Sequence, residues 1–242
     1  MNSHIVVIIS LLVITASVTT CGGLIDSSSA TINFQAGGSI RADMRCVWMV
    51  QTPSVNNRFT LTSGLGGDDG IYVATYNYGN IGRQQKISIV GQNYTIPAHH
   101  LIITLSVGHS PTRGFSLSFF SSGLAFYDAL TGYADLTTTS GNYVYPQNGE
   151  NYKNNEDAVF FIVPAVPAQP TLRFIYVDLE SDLNCVYDYV TIYTWFDNDY
   201  KQVARVCGET LPPTVTFVEG AGLVTFRSDG YMNRRGFKFE WA

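Results

Sequence analysis

The sequence predicts an all-β protein of two consecutive antiparallel β-sandwiches, and three features carry that expectation. Helical periodicity is almost absent. In its place run many short segments rich in Val, Ile, Thr, Tyr and Phe, broken by Gly, Asn, Ser and Pro, the pattern of a sandwich. Two stretches alternate strictly. Phe115, Leu117 and Phe119 alternate with Ser116 and Ser118, and Phe237, Phe239 and Trp241 with Lys238 and Glu240, so each strand has one apolar and one polar face. Each follows a glycine, Gly114 or Gly236. That parallel points to an internal repeat, with units covering residues 21–122 and 123–242.

At the start of the chain, residues 5–14 are apolar except for Ser10, the length of a signal-peptide core and too short to cross a bilayer as a helix. Small residues follow and place a cleavage just before Cys21. Residues 1–20 therefore read as a signal peptide and the remainder as a secreted, extracellular chain. The rival reading, a lipid on Cys21, asks for a small residue where Thr20 stands. No later apolar run is long enough for a membrane span.

Four cysteines, Cys21, Cys46, Cys185 and Cys207, survive that cleavage. An even count in a secreted chain argues for two disulfides, and three pairings are possible. The local one, Cys21 with Cys46 and Cys185 with Cys207, puts one bridge in each half and contributes on the order of 3 kcal/mol per bridge. A zinc site, the alternative, lacks CxxC spacing and well-placed histidines.

The net charge of −5 is unevenly shared. Residues 21–122 carry six basic and four acidic side chains, and residues 123–242 carry eight basic and fifteen acidic. This balance speaks against nucleic-acid binding and suggests that the acidic half meets a cation; a solvated acidic surface accounts for most of those acids.

Between the units, residues 121–127 begin small and turn apolar, which suits packing between domains better than a loose tether. Asp68 and Asp69, among glycines, read as a turn before a strand at residues 71–76. Asn93-Tyr94-Thr95 is an acceptor for N-glycosylation. The Pro164, Pro167 and Pro170 run reads as a rigid connection between strands rather than a ligand for a proline-binding domain.

The second half is organised around residues 179–192. Val190 and Ile192 alternate with Tyr189 and Thr191 as in a half-buried strand, whereas the segment from Glu180 to Asn184 is too polar to continue one. Two carboxylates, Glu180 and Asp188, are thereby brought to one rim.

Leu179-Glu180, Cys185-x-Tyr187-Asp188, Val190-x-Ile192, Arg205-x-Cys207-Gly208, Pro212, Phe226-x-Ser228-Asp229 and Gly236-Phe237, in that order, resemble the CUB domain, a module of secreted proteins. The likeness covers the back two-thirds of the second unit. At its front, Gly132 and Ala158 stand where a first cysteine pair is expected, and Phe160 replaces the usual Trp. The first unit is the reverse: Cys21-Gly22-Gly23, Cys46-x-Trp48 and Gly114-Phe115 match, while Gly66 and roughly Val90 fall at the second cysteine pair, which makes it a divergent copy. The resemblance implies jelly-roll-like sandwiches with no catalytic role, engaged in recognition of proteins and sometimes of glycans.

It also implies a calcium site. Many members hold Ca2+ with three carboxylates, whose counterparts are Glu180, Asp188 and Asp229. The chemistry stands without the analogy, because calcium takes six to eight hard oxygen ligands that loops at a sandwich rim can supply. With the ion bound, three negative charges outweigh two positive, and a Lys or Arg of a partner is still attracted. By analogy a carbonyl near Tyr231 completes the cage and Tyr152 orients Glu180 through its hydroxyl. Met232 occupies a position that is often Asn or Asp, with Asn233 next along as the substitute. The equivalents in the first unit, Leu61, Asp69 and Val107, supply one acid and predict no metal there.

Motifs for a nucleophile, a metalloprotease or a phosphate loop are missing from the sequence. His99, His100 and His109 have no clear catalytic partner, and neighbours such as His99 and His100 point to opposite faces of a strand. The expectation is a non-enzymatic adaptor that binds a basic side chain of an extracellular protein through calcium. A glycan-binding, lectin-like protein and a structural extracellular component are the alternatives.

Overall fold

Short β-branched and aromatic runs form strands throughout, and no helix occurs among the described residues. The structure, a computed structural model, describes residues 16–66, 69–123 and 129–242. The strands before residue 123 are β1 (Ala16–Val18), β2 (Gly23–Asp26), β3 (Ser29–Ile40), β4 (Arg45–Gln51), β5 (Asn56–Ser63), β6 (Gly70–Asn77), β7 (Asn80–Ile87), β8 (Asn93–Pro97), β9 (His100–Ser106) and β10 (Thr112–Ser122). Those after it are β11 (Gly132–Leu136), β12 (Gly141–Tyr145), β13 (Asp157–Ile162), β14 (Thr171–Asp178), β15 (Tyr189–Phe196), β16 (Asp199–Val206), β17 (Val215–Thr216), β18 (Gly222–Arg227) and β19 (Gly236–Trp241).

They form four sheets: β1-β3-β10-β5-β8, β2-β4-β9-β6-β7, β11-β13-β18-β15-β16 and β12-β19-β14-β17. The strand order of the second sheet recurs in the third, including the parallel edge pair, β2 with β4 and β11 with β13. The first and fourth sheets match in the same way, apart from the extra strand β1. That strand lies within the expected signal peptide and pairs in parallel with β3. Among the described residues, removal of residues 1–20 takes away this edge strand and the Thr20 carbonyl that accepts from Trp48 Nε1 at 3.1 Å.

Phe34, Trp48, Phe59, Val73, Ile103 and Phe115 share a core between the first two sheets, and Phe160, Phe174, Phe226, Phe237 and Phe239 share one between the last two. The glycines ahead of the alternating strands let one backbone cross another: a Cβ on Gly114 would lie 1.8 Å from the Gln35 carbonyl oxygen, and one on Gly236 2.0 Å from that of Tyr145. The disulfides are Cys21–Cys46 and Cys185–Cys207. Where the parallel pair of the third sheet would place the missing bridge, Gly132 faces Ala158, and a Cβ on Gly132 would approach that of Ala158 to 2.8 Å.

One expectation needs correction. Tyr189 to Tyr193 in β15 are all buried, not half-buried, because a third core joins the second sheet to the third. Val47, Met49, Tyr72, Tyr76 and Ile102 meet Val159, Phe161, Tyr193, Trp195, Tyr200 and Leu223 there. Trp195 packs edge-on against Tyr72 and Tyr200 at ring separations of 5.4 and 5.0 Å. Polar bonds frame this layer: Tyr193 Oη and Thr225 Oγ1 donate to the Gly79 carbonyl at 3.2 and 2.9 Å, and Tyr76 Oη donates to Asp157 Oδ1. The Arg45 guanidinium stands 3.7 Å from Glu219. The apolar part of the segment between the halves, from Leu124 on, lies outside the described residues, as do Gly67 and Asp68.

Candidate metal centre

One rim shared by the third and fourth sheets gathers three acids from loops that adjoin three different strands. Glu180 follows β14. Its position is fixed by the Leu179 amide donating to the Gly208 carbonyl at 2.9 Å and the Gly208 amide donating to the Glu180 carbonyl at 3.0 Å, while Leu179 is buried in the core. The Cys185–Cys207 bridge ties the next turn to the same point. Within that turn Asp182 Oδ2 accepts the amides of Asn184 and Val186, both at 3.1 Å. Asp188 comes next, immediately before β15, and Asp229 follows β18 after Ser228.

Glu180, Asp188 and Asp229 each offer a carboxylate oxygen within 4.8 Å of the others. Asp188 is buried, accepting the Asp229 amide on Oδ1 at 2.8 Å and the Tyr152 hydroxyl on Oδ2 at 2.5 Å. Tyr152, itself buried against Phe226, takes the Glu180 amide on its oxygen at 3.1 Å. The expected contact of this hydroxyl with Glu180 is made through the main-chain amide, while the hydroxyl proton serves Asp188. A hydroxyl has one proton, and the short bond to a carboxylate takes it in preference to the Met232 carbonyl 3.4 Å away.

The remaining residues named from the sequence lie on the 229–233 loop. Asp229 Oδ1 accepts the Tyr231 amide at 2.8 Å, and the Tyr231 ring is 74% exposed. Met232 has a left-handed φ of 56° and is exposed. The Asn233 carbonyl accepts from Asn151 at 3.1 Å, and the Gly230 carbonyl from Asn154 at 2.6 Å. The sequence gives neither asparagine a role at the site, although Asn154, with Tyr152, fits the run that resembles the CUB domain. Their signal is the polar, turn-prone run from Asn151 to Asn155, which buttresses the acid-bearing loop.

The electrostatics are those of an uncompensated anion. Burial, then the charges of Asp188 and Asp229, push the Glu180 carboxyl above its ordinary range, with Arg234 opposing. Burial pushes Asp188 up as well, against the hydrogen bonds from Tyr152 and Asp229. Glu180 Oε2 is buried without a hydrogen-bond partner. An orphaned carboxylate oxygen beside two more carboxylates fits a hard cation, and the all-oxygen donor set suits calcium better than zinc.

Elsewhere, Leu61 and Val107 are core residues, and Asp69 Oδ1 is engaged by the Gly108 amide at 2.7 Å. Of the histidines, His99 lies 3.2 Å from the Thr52 carbonyl and His100 is buried, its ring against Tyr76, whereas exposed His109 pairs with Asp43 at 2.7 Å. Asn93 is exposed at the head of edge strand β8, with Thr60 donating to its Oδ1 at 2.7 Å.

Residues 132–241 match the family model of the CUB domain. A bone morphogenetic protein 1 homolog of Strongylocentrotus purpuratus is 26% identical over 238 residues, covering 92% of this chain and 35% of its own length. Cubilin of Sus scrofa is 27% identical, with 90% of this chain and 6% of its own length covered. The exoskeleton protein RP43 of Riftia pachyptila is 30% identical, with 43% and 24% covered. The chain thus spans about a third or less of these curated relatives. Among solved structures, the CUB1-EGF-CUB2 domains of rat MASP-1 share 15% identity over 91% of this chain and 99% of theirs, at a TM-score of 0.40. The MASP-1 CUB2 domain bound to Ca2+ shares 22% over 47% and 98%, also at 0.40. No helix of the described residues is long and apolar enough to cross a membrane.

Proposed function

We propose that this chain is a secreted, non-enzymatic recognition protein of two consecutive sandwich domains, residues 21–122 and 123–242, the first a divergent CUB copy. The second holds calcium through Glu180, Asp188 and Asp229 and offers the remaining negative potential to a basic side chain of an extracellular protein. The observation that carries this reading is the convergence of three carboxylates, one with a buried and unpartnered oxygen. Recurrence of the strand order in both halves supports the tandem copy.

Calcium supplies the charge that lets three acids stand together. The chain does the rest: Tyr152 holds Asp188, the Cys185–Cys207 bridge holds the Glu180 loop, and Asn151 and Asn154 hold the Asp229 loop. Three anions around a dication retain one negative charge, which selects a cationic partner group.

The test is an immobilised chain probed with extracellular proteins in calcium, in chelator, and as Asp229→Ala. Loss of the captured partner in both latter arms is expected, and capture retained in either removes the mechanism. A glycan array run alongside addresses the lectin reading; calcium-dependent glycan binding in place of protein capture would replace it.

A further inference from the structure

The acids do not stand in a polar surround. Between Glu180 and Asp188 the same loop carries Leu183, 98% exposed, with Val186 and Tyr187 also exposed. On the facing loop, Tyr231 and Met232 follow Asp229 and are 74% and 57% exposed. Five apolar or aromatic side chains on the two acid-bearing loops thus face solvent. Exposed apolar side chains such as Ile175 and Leu211 occur elsewhere as well, but five on the two loops that bring the acids together mark a contact surface.

These side chains are also held in place. Asp182 accepts the amides on either side of Cys185, whose own φ is 48° and whose sulfur is bonded to Cys207. The facing loop is fixed by the Tyr231 amide on Asp229 and by Asn151 and Asn154 on the carbonyls of Asn233 and Gly230. A turn bound this tightly gives Leu183 no route into the core, so its exposure persists. A rigid apolar group of this kind loses little entropy when a partner covers it.

Resting on the function proposed above, we infer that this apolar collar selects the partner: the segment it binds is a protein segment whose Lys or Arg is flanked on both sides by large apolar residues. The cation enters the acids while its neighbours cover the collar. Charge complementarity favours a cationic segment over an acidic or neutral one, and the collar favours an apolar-flanked cation over an isolated one.

Two synthetic peptides of equal charge, Gly-Ser-Leu-Lys-Phe-Ser-Gly and Gly-Ser-Gly-Lys-Gly-Ser-Gly, titrated calorimetrically into the whole chain in calcium, test this. The first is expected to bind at least about tenfold more tightly, and a Leu183→Ser, Val186→Ser variant to lose most of that ratio. Neither substitution removes a carboxylate, so the calcium-induced rise in melting temperature persists in the variant. If calcium raises the melting temperature but the peptides bind equally, or neither binds, the collar inference fails alone. If calcium has no effect on melting, the metal site itself fails. Concentration-dependent dimerisation that the double variant abolishes, or binding to neutral phosphatidylcholine vesicles, would assign the collar another occupant and overturn the inference.

Discussion

Glu180→Gln separates a calcium site from a chance cluster of acids, because the two predict opposite signs. Without a cation, Glu180 is a nearly buried carboxylate with two like charges whose offered oxygens lie within 4.8 Å. At that distance one like-charge pair costs about 0.9 kcal/mol in bulk water and about 3.5 kcal/mol at an effective dielectric of 20. The rim is open to solvent and salt, so the relief on removing Glu180's charge is set at roughly 1 kcal/mol. Gln keeps the shape and can satisfy the orphaned oxygen's place with an amide. In chelator, therefore, Glu180→Gln is expected to unfold at slightly higher urea than the parent. With calcium at about a hundred times its dissociation constant, the parent gains about 2.7 kcal/mol that a two-carboxylate site largely forgoes. The order of midpoints then reverses. Equilibrium urea unfolding in the two buffers reads both differences. A substitution that destabilises equally in calcium and in chelator would refute the reasoning, because Glu180 would then be acting through packing or hydrogen bonds alone.

Three further outcomes are expected. Trp195→Ala empties the centre of the layer between the second and third sheets and should cost about 3–5 kcal/mol, lowering a single calorimetric transition by roughly 10 °C in a chain of this size; two separated transitions in the parent would show that the halves unfold independently. Asp157, beneath Tyr76, has its carboxyl raised to about 6 by burial against the lowering effects of Tyr76 and Arg227. The folded state therefore holds its proton where the unfolded chain has lost it, and stability falls as pH rises from about 4 to about 6, by at most on the order of 2–3 kcal/mol. Asp157→Asn should flatten that part of the slope relative to the parent in unfolding curves at about pH 4.5 and about pH 7, and an unchanged difference would count against the burial argument. Met232→Asn suits the left-handed backbone at that position and adds a hard oxygen to the rim, so the calcium-induced thermal shift should grow; a smaller shift would mean that the residue 232 side chain lies away from the ion.

Strands with one wet face were legible in the sequence because their alternation survives in the outer sheets, as in Phe115 to Phe119 and Phe237 to Trp241. The acids were legible because their loops bear turn residues and cysteines that break the strand pattern. What escaped was the middle layer. Residues such as Val47, Met49 and Val159 sit beside strand neighbours that are also buried, so a two-faced strand reads as a plain apolar run with no clue to what covers its second face. The partner of the Tyr152 hydroxyl escaped for a similar reason, since sequence order brings Tyr152 to the site but cannot choose between two carboxylates a few ångströms apart.

That middle layer also bears on the metal rim, because it covers the second face of the third sheet. The third sheet carries Asp188 and Asp229 at the rim where Glu180 joins them from the end of β14, and gives one face to its own core; its other face carries Val159, Phe161, Tyr193, Trp195 and Leu223. Left bare, such a face would be an apolar patch that a soluble domain rarely tolerates. The second sheet covers it with Val47, Met49, Tyr72 and Tyr76, side chains that need a correctly folded first half behind them but no metal. Leu61 and Val107 lie in the core that supports this cover, where acids would bring in charge. The rim of the second half thereby stands on a rigid base. Rigidity matters at that rim because three carboxylates converge on a cation only as precisely as the strands that end beside them are held.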